Sequence, residues 1–386
     1  MRKRRIIFTT GIRSDFYVQD QIMRAVQAHP RLECYLLVTG AHLSKKFGYT
    51  VKEIRKRNYK IVAEIKNLIM SDKLSSRVAG AAIQLKKMVD VFERVKPDII
   101  VAPYDREEAI TVALAGTYMN IPVVHIGAGD NTDTNVDGIV RHSVTKLAHL
   151  SFAATPKSAE RVLKMGEEEW RVFVVGSPAV DRFKSVKCLT RKDIGRYFDL
   201  DLSGKPLIVN LQHPVSHEVK KTREHITVTM AALDELNYPT VIIQPNSDPG
   251  RSAMVSVMRR YRFKNKQVRQ RANIPELYFV NLMRQAAVLV GNSSMGIAEA
   301  PALKLPVVNV GNRQKGREHA GNVLFVPHNK TQIIRAVKRC LFDKAFRKKV
   351  QLCRNPYGNG ATGKKVANIL ARIKINERLL NKRMTY

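Results

Sequence analysis

Short, unbroken apolar β-rich runs alternate with helical stretches along this chain, and the alternation occurs twice. In the first half, Ile6-Ile7-Phe8-Thr9-Thr10 stops at Gly11 and gives way to a helix reaching about Ala25. Cys34 to Thr39 is a second run, stopped by Gly40. Pro97 to Ala102 and Pro122 to Ile126 are two more, separated by a helix around Ala109 to Met119. After a polar stretch near Ser185 to Lys205 the pattern restarts with Pro206 to Leu211, Thr240 to Ile243, Leu277 to Val280, Ala287 to Val290 and Pro306 to Val310. Strands that are apolar along their whole length need cover on both faces, and intervening helices supply it; this is the pattern of a parallel sheet. The chain is therefore expected to be α/β, with two Rossmann-like domains of parallel sheets and an interdomain cleft. The boundaries read as 1–190 and 191–365, with a terminal helix over 366–386 packing back on the first domain. A length of 386 residues suits two or three domains.

Composition narrows the class. Hydrophobic residues make up 44% of the chain, ample for a core, which excludes a disordered basic tail. No apolar run approaches the ~20 residues of a membrane span. Met1-Arg2-Lys3-Arg4-Arg5 leads into only three apolar residues, too few for a secretory signal, so a soluble cytoplasmic protein is expected. Cys34, Cys188, Cys340 and Cys353 are scattered, with no Cys-x-x-Cys pair and no His at ligand spacing; reduced thiols are expected and a structural zinc site is not. The 67 Lys+Arg against 33 Asp+Glu give a formal charge of +34. That excess is spread over Lys52 to Lys60, Arg259 to Arg271, Arg347-Lys348-Lys349 and the C-terminal region, with no nucleic-acid recognition signature beside it. It reads as a solvated basic surface, and no nucleic-acid partner is expected.

In doubly wound sheets ligands bind beyond the carboxyl ends of the strands, so the segments after each strand carry the argument. The first is Thr10-Gly11-Ile12-Arg13-Ser14-Asp15, where Arg13 offers a fork for phosphate and Asp15 reads equally well as a helix cap. Tyr104-Asp105-Arg106-Glu107-Glu108 opens a helix, which favours acidic residues; Asp105 remains an acid–base candidate. His125-Ile126-Gly127-Ala128-Gly129-Asp130 follows, with Asp133, Asp137, Arg141 and His142 close behind. A turn and a helix cap need one Asp, and this set has three beside two histidines and an arginine. In the second half stand Gln212-His213-Pro214 and the turn-rich Gln244-Pro245-Asn246-Ser247-Asp248-Pro249-Gly250. Val290-Gly291-Asn292-Ser293-Ser294 then runs into a helix start that would cradle an anion, with Glu299 one turn into that helix and suited to a ribose diol. Arg313-Gln314-Lys315-Gly316-Arg317 adds cations. These residues suggest a nucleotide-diphosphate enzyme whose first half works on the group attached.

In order and as a set, these motifs resemble the hydrolysing UDP-N-acetylglucosamine 2-epimerase family of sialic and related nonulosonic acid biosynthesis. Ile139-Val140-Arg141-His142 through His149-Leu150 and Leu211 to Val215 extend the resemblance over nearly the whole chain. It implies a GT-B-like fold and a UDP-sugar partner. It also implies conversion of UDP-N-acetylglucosamine and water to N-acetylmannosamine and UDP, through elimination to a glycal and addition of water. No cofactor and no metal are implied, and a homo-oligomer, dimer or tetramer, is. The Thr-His-Arg-Arg-Glu type of motif of non-hydrolysing bacterial epimerases is absent. By position, Asp105 and Asp137 become acid–base candidates and His213 an assistant at the sugar–phosphate bond. Arg13, Ser293, Ser294 and Arg313 become diphosphate ligands, Glu299 a ribose ligand and His42 a pocket-lining residue, with Arg141 and Asn246 in the substrate set. Gly127 stands where some members carry a catalytic Glu, and Asp130 is the expected replacement. Three other readings stay open: the same reaction on UDP-2,4-diacetamido-2,4,6-trideoxyglucose, a GT-B glycosyltransferase, and a non-enzymatic basic binder.

Overall fold

The computed structural model describes residues 2–71, 73–131, 136–215 and 217–386. They form two compact units. Unit 1 comprises the chain up to Lys184 and the return segment Tyr357–Tyr386, and unit 2 runs from Ser185 to Pro356. Both divisions fall a few residues before the 190/191 and 365/366 boundaries expected from sequence. Thr190 starts the helix Arg191–Phe198 inside unit 2, its hydroxyl and the Asp193 carboxylate closing a reciprocal cap. Tyr357 already lies in unit 1, where its carbonyl accepts from the Ser177 amide at 2.7 Å.

Unit 1 is built on seven strands: β1 (Arg4–Thr10), β2 (Leu32–Thr39), β3 (Lys60–Ile65), β4 (Ile99–Pro103), β5 (Val123–Ala128), β6 (Leu150–Ala153) and β7 (Val172–Val174). Their order is β3-β2-β1-β4-β5-β6-β7, every pairing parallel. Alternate residues serve opposite faces. Ile6, Phe8, Leu36, Val38, Ile99 and Val124 pack into one core, whereas Ile7, Leu37, Ile100, Ala102 and Val123 pack into the other. Two buried faces explain why the strands are apolar throughout.

Unit 2 repeats the plan with β8 (Ile208–Leu211), β9 (Thr240–Ile243), β10 (Val268–Arg271), β11 (Val288–Gly291), β12 (Val307–Val310) and β13 (Val323–Val326). The order is β10-β9-β8-β11-β12-β13, again all parallel. Each unit is thus a Rossmann-like domain. Leu277 to Val280, read above as a strand, lies in the helix Glu276–Gln285. A short apolar run satisfies either period; here Pro275 stands at the N-cap of a helix along which Glu276, Val280, Asn281, Leu282 and Met283 are buried. The strand at that place in the sheet is instead the polar β10, an edge strand whose Arg269 pairs with Asp199 at 2.7 Å. Cys34, Cys340 and Cys353 are buried free thiols, Cys188 an exposed one. No described helix is long and apolar enough to cross a membrane.

Candidate active site

In each sheet the strand order reverses once, between β1 and β4 in unit 1 and between β8 and β11 in unit 2. The crevice beyond the carboxyl ends at such a reversal is where open α/β sheets bind ligands. Thr10 to Asp15 and Tyr104 to Glu108 follow the two strands of the unit 1 reversal, and Gln212-His213 and Asn292 to Ser294 follow those of the unit 2 reversal, whereas Asp130 and Asp137 follow β5.

In unit 1, β1 leads through Gly11 into the helix Arg13–Ala28, and β4 leads through Tyr104 and Asp105 into the helix Glu107–Tyr118. The Arg13 guanidinium contacts Glu53 at 3.3 Å and lies over the Tyr17 ring. Asp105 is ion-paired with Arg141, whose other terminal nitrogen donates to the Gly127 carbonyl at 2.9 Å. One guanidinium thus ties the end of β4 to the end of β5. Gly127 has φ +83°, and a Cβ there would meet the Tyr104 ring at 2.8 Å and Arg141 at 3.2 Å. A side chain at this position would be strained and obstructed, so the carboxylate that some family members carry here has no room.

Asp130 is buried; it accepts from the Asn131 amide at 3.0 Å and has the Tyr357 hydroxyl 3.4 Å away. Its charge also favours the protonated form of His142, while burial, Arg141 and Arg161 push that imidazole the other way, for a net lowering. Asp137 is half-buried in the first turn of the helix Val136–Leu147. Asp133 lies outside the described residues.

One histidine departs from its expected role, and a second is just as internal. His42 is fully buried, with Thr10 Oγ1 3.0 Å from Nε2 and Thr50 Oγ1 2.7 Å from Nδ1; burial lowers its pKa to about 3. With both nitrogens engaged it braces the segment after β2 and presents no polar atom to a ligand, contrary to the pocket-lining role. His125 is equally internal: Nε2 donates to the Tyr104 carbonyl at 2.8 Å, Thr145 Oγ1 lies 3.0 Å from Nδ1, and burial lowers its pKa to about 3.

Asp15, which reads from sequence equally well as a helix cap, and Glu108, which sequence does not single out, sit in a cluster of acidic groups. Burial raises Asp15 well above the usual carboxylate range against the attraction of Arg106, with Glu108, Asp105 and Glu107 adding repulsion. Burial and Glu107 raise Glu108 too, despite Arg106. Glu107 goes the other way, because Arg106 and Arg77 outweigh its burial. The helix cap is Ile12, so Asp15 sits in the first turn among these carboxyls rather than at the cap. The crowding of acidic groups at the ends of β1 and β4, with Asp15 and Glu108 held toward their protonated forms, is of the kind found at functional sites.

Unit 2 gathers its residues around Asn292. The Asn292 side chain accepts from the His213 amide at 2.7 Å and donates to the His213 carbonyl at 2.9 Å, locking the segment after β8 to the segment after β11. Its own carbonyl accepts from Arg313 at 3.1 Å and from Gln314 at 3.0 Å, which adds the segment after β12. The Asn246 amide approaches His213 Nδ1 at 3.5 Å, adding the segment after β9. Ser293 and Ser294 follow directly, with Ser293 Oγ 3.4 Å from the Met295 amide. The helix they open, Met295–Ala298, has four residues, so the cradle rests on hydroxyls and amides more than on a helix dipole. Glu299 is buried just past this helix, at the start of the 3-10 turn Ala300–Leu303, and not one turn inside it as the sequence suggested. His213, Asn246, Ser293, Ser294 and Arg313 therefore share one end of one sheet, a donor-rich arrangement suited to a diphosphate. Among the described residues, one cluster has metal-ligand composition, Glu218 with His225 and His328.

A family profile described as UDP-N-acetylglucosamine 2-epimerase matches residues 24–371. A hydrolysing UDP-N,N'-diacetylbacillosamine 2-epimerase of Legionella pneumophila is 31% identical, covering 99% of this chain and 100% of its own length. A hydrolysing GDP/UDP-N,N'-diacetylbacillosamine 2-epimerase of Campylobacter jejuni is 34% identical over 84% of each chain. Among solved structures, the Neisseria meningitidis UDP-GlcNAc 2-epimerase bound to UDP-GlcNAc superposes with a TM-score of 0.80, at 20% identity, over 96% of this chain and 100% of its own.

Proposed function

Since this chain belongs to the UDP-N-acetylglucosamine 2-epimerase family and is an enzyme, we propose that it hydrolyses UDP-2,4-diacetamido-2,4,6-trideoxyglucose with inversion at C2, releasing UDP and the corresponding manno sugar. The observation that carries the choice of sugar is the full-length 31% identity to a diacetylbacillosamine epimerase, supported by 34% identity to a second one. UDP-N-acetylglucosamine is the second reading, favoured by the profile that spans residues 24–371.

In this reading the residues of unit 2 hold the nucleotide. Arg313, Ser293 and Ser294 meet the diphosphate, Glu299 the ribose diol, and His213 assists at the bond to the sugar. The carboxylates of unit 1 move the protons. One of Asp105, Asp130 and Asp137 takes the C2 proton while UDP leaves from C1 with its electron pair, giving a glycal. Water then adds across the double bond, its hydroxyl to C1 and a proton to the opposite face of C2. Abstraction of so weak a carbon acid calls for a carboxylate in a partly desolvated place. The departing UDP calls for fixed cations and amide donors. A homo-oligomer is part of the reading, and sedimentation reads it directly.

The experiment is an NMR product assay in deuterated water with both UDP-sugars. Faster release of UDP from the trideoxy sugar, with one deuteron at C2 of the product, is expected. Faster turnover of UDP-N-acetylglucosamine would select the second reading, and no UDP from either sugar would overturn both.

A further inference from the structure

We infer that Glu218, His225 and His328 form a binding site for a divalent transition-metal ion in unit 2. Glu218 lies in the segment after β8, His225 near the start of the helix Thr222–Leu236, and His328 two residues beyond β13. One ligand atom from each falls within 4.8 Å of the other two.

The distances inside the cluster suit an ion better than they suit hydrogen bonds. Glu218 Oε2 is 3.8 Å from His225 Nδ1, and its Oε1 is 3.7 Å from Nε2 of the neighbouring His217. Both separations are too long for a hydrogen bond. An ion lying ~2.0–2.2 Å from nitrogen and oxygen ligands spans gaps of that size. His328 Nδ1 is buried and has no hydrogen-bond partner, which a buried polar nitrogen ordinarily finds. Room for the His328 ring comes from Gly311, at φ +81°, where a Cβ would stand 2.5 Å from Nε2.

The imidazoles of His225 and His328 lie face to face, centroids 3.6 Å apart and 2° from parallel. Such a stack holds neutral rings, the form that ligates metals. Their lone pairs run side by side, so ligation turns one ring about its soft Cβ–Cγ torsion. Two imidazoles and a carboxylate favour zinc, cobalt or nickel over magnesium or calcium, which prefer oxygen ligands. The ion would tie down the segment that carries His213, five residues before Glu218, and brace Gly311 beside Arg313. The site itself is independent of the substrate reading, because the ion alone is the probe.

The full chain, stripped with EDTA, is titrated with Co²⁺ by absorption and with Zn²⁺ by calorimetry in phosphate-free buffer. One equivalent should bind, with the visible bands of a nitrogen-ligated Co²⁺. His225→Ala and Glu218→Gln should each weaken binding on the order of tenfold or more, while His319→Ala and a Mg²⁺ titration serve as controls. Glu218→Gln keeps shape and volume, so its far-UV spectrum should match the parent and its loss of binding is not a loss of fold. Absence of stoichiometric binding, affinity unchanged in both variants, or equal loss in His319→Ala would overturn the site.

Discussion

Asn292→Ala tests the idea that one side chain assembles the nucleotide end of unit 2. It removes an acceptor 2.7 Å from the His213 amide and a donor 2.9 Å from the His213 carbonyl, at a position 1% exposed. Each orphaned buried group costs ~1–3 kcal/mol, with water recovering part of it, so a loss of about 2–4 kcal/mol is expected. For a unit of this size that lowers the melting temperature by roughly 5–15 °C. Calorimetry should find the unit 2 transition shifted. Fluorescence of Trp170, the chain's single tryptophan, reports unit 1 as an internal reference. Asn292→Asp sharpens the test: it keeps an acceptor for the amide but sets a carboxylate oxygen against the His213 carbonyl, and should be at least as damaging. Turnover should fall in both, because His213 loses its anchor while the Asn292 carbonyl still receives Arg313. A shift below ~2 °C in Asn292→Ala, or an Asn292→Asp variant as stable as the parent, would refute the reasoning.

Asp105→Asn and Asp137→Asn should abolish turnover while leaving UDP affinity by calorimetry unchanged; weakened UDP binding would contradict their roles. Arg313→Ala should weaken UDP binding about 10- to 100-fold, the worth of a charge-assisted contact, and an unchanged affinity would count against the diphosphate role. Asp15, raised by burial, binds a proton more readily folded than unfolded, so its contribution is lost as pH rises past its unfolded value near ~3.9. Asp15→Asn should therefore raise the melting temperature at pH 7 relative to parent, a gap that closes toward pH 4. His42 and His125, both lowered to about 3, bind fewer protons folded than unfolded. Their stabilisation is complete above ~6.5 and drains away toward pH 3, which melting curves across that range should show; His42→Asn should flatten the decline.

The doubly wound plan was legible because strands buried on both faces leave unbroken apolar runs, and β1, β2, β4, β5, β8, β9, β11 and β12 all do. What escaped were the four edge strands β3, β7, β10 and β13, which are partly exposed, and the four-residue β6. Leu277 to Val280 was apolar enough for either period, and only packing chose the helix. In the site, residues just past strand ends were readable in place but not in partner. Nothing in the sequence couples Asp105 to Arg141, 36 positions on, or shows that both nitrogens of His42 are taken by threonines. Asp15 looked like a cap because caps and acid–base groups draw on the same residue type at the same place. Asn292 was hidden inside a motif whose serines drew attention first.

The return of Tyr357–Tyr386 to unit 1 governs the order in which the protein can be made. The helix Thr362–Arg372 packs on the helix Arg13–Ala28, and Arg4 donates to the carbonyls of Leu370 and Ile373 at 2.5 and 2.9 Å. Arg171, buried beside Trp170, clasps the carbonyls of Leu379, Arg378 and Asn381. During synthesis the part of the first helix that Thr362–Arg372 covers therefore waits while all of unit 2 is translated, although its other buried side chains pack against β1 and β2. The nascent chain thus passes through a stage in which all of unit 2 has been made while unit 1 still lacks its last segment.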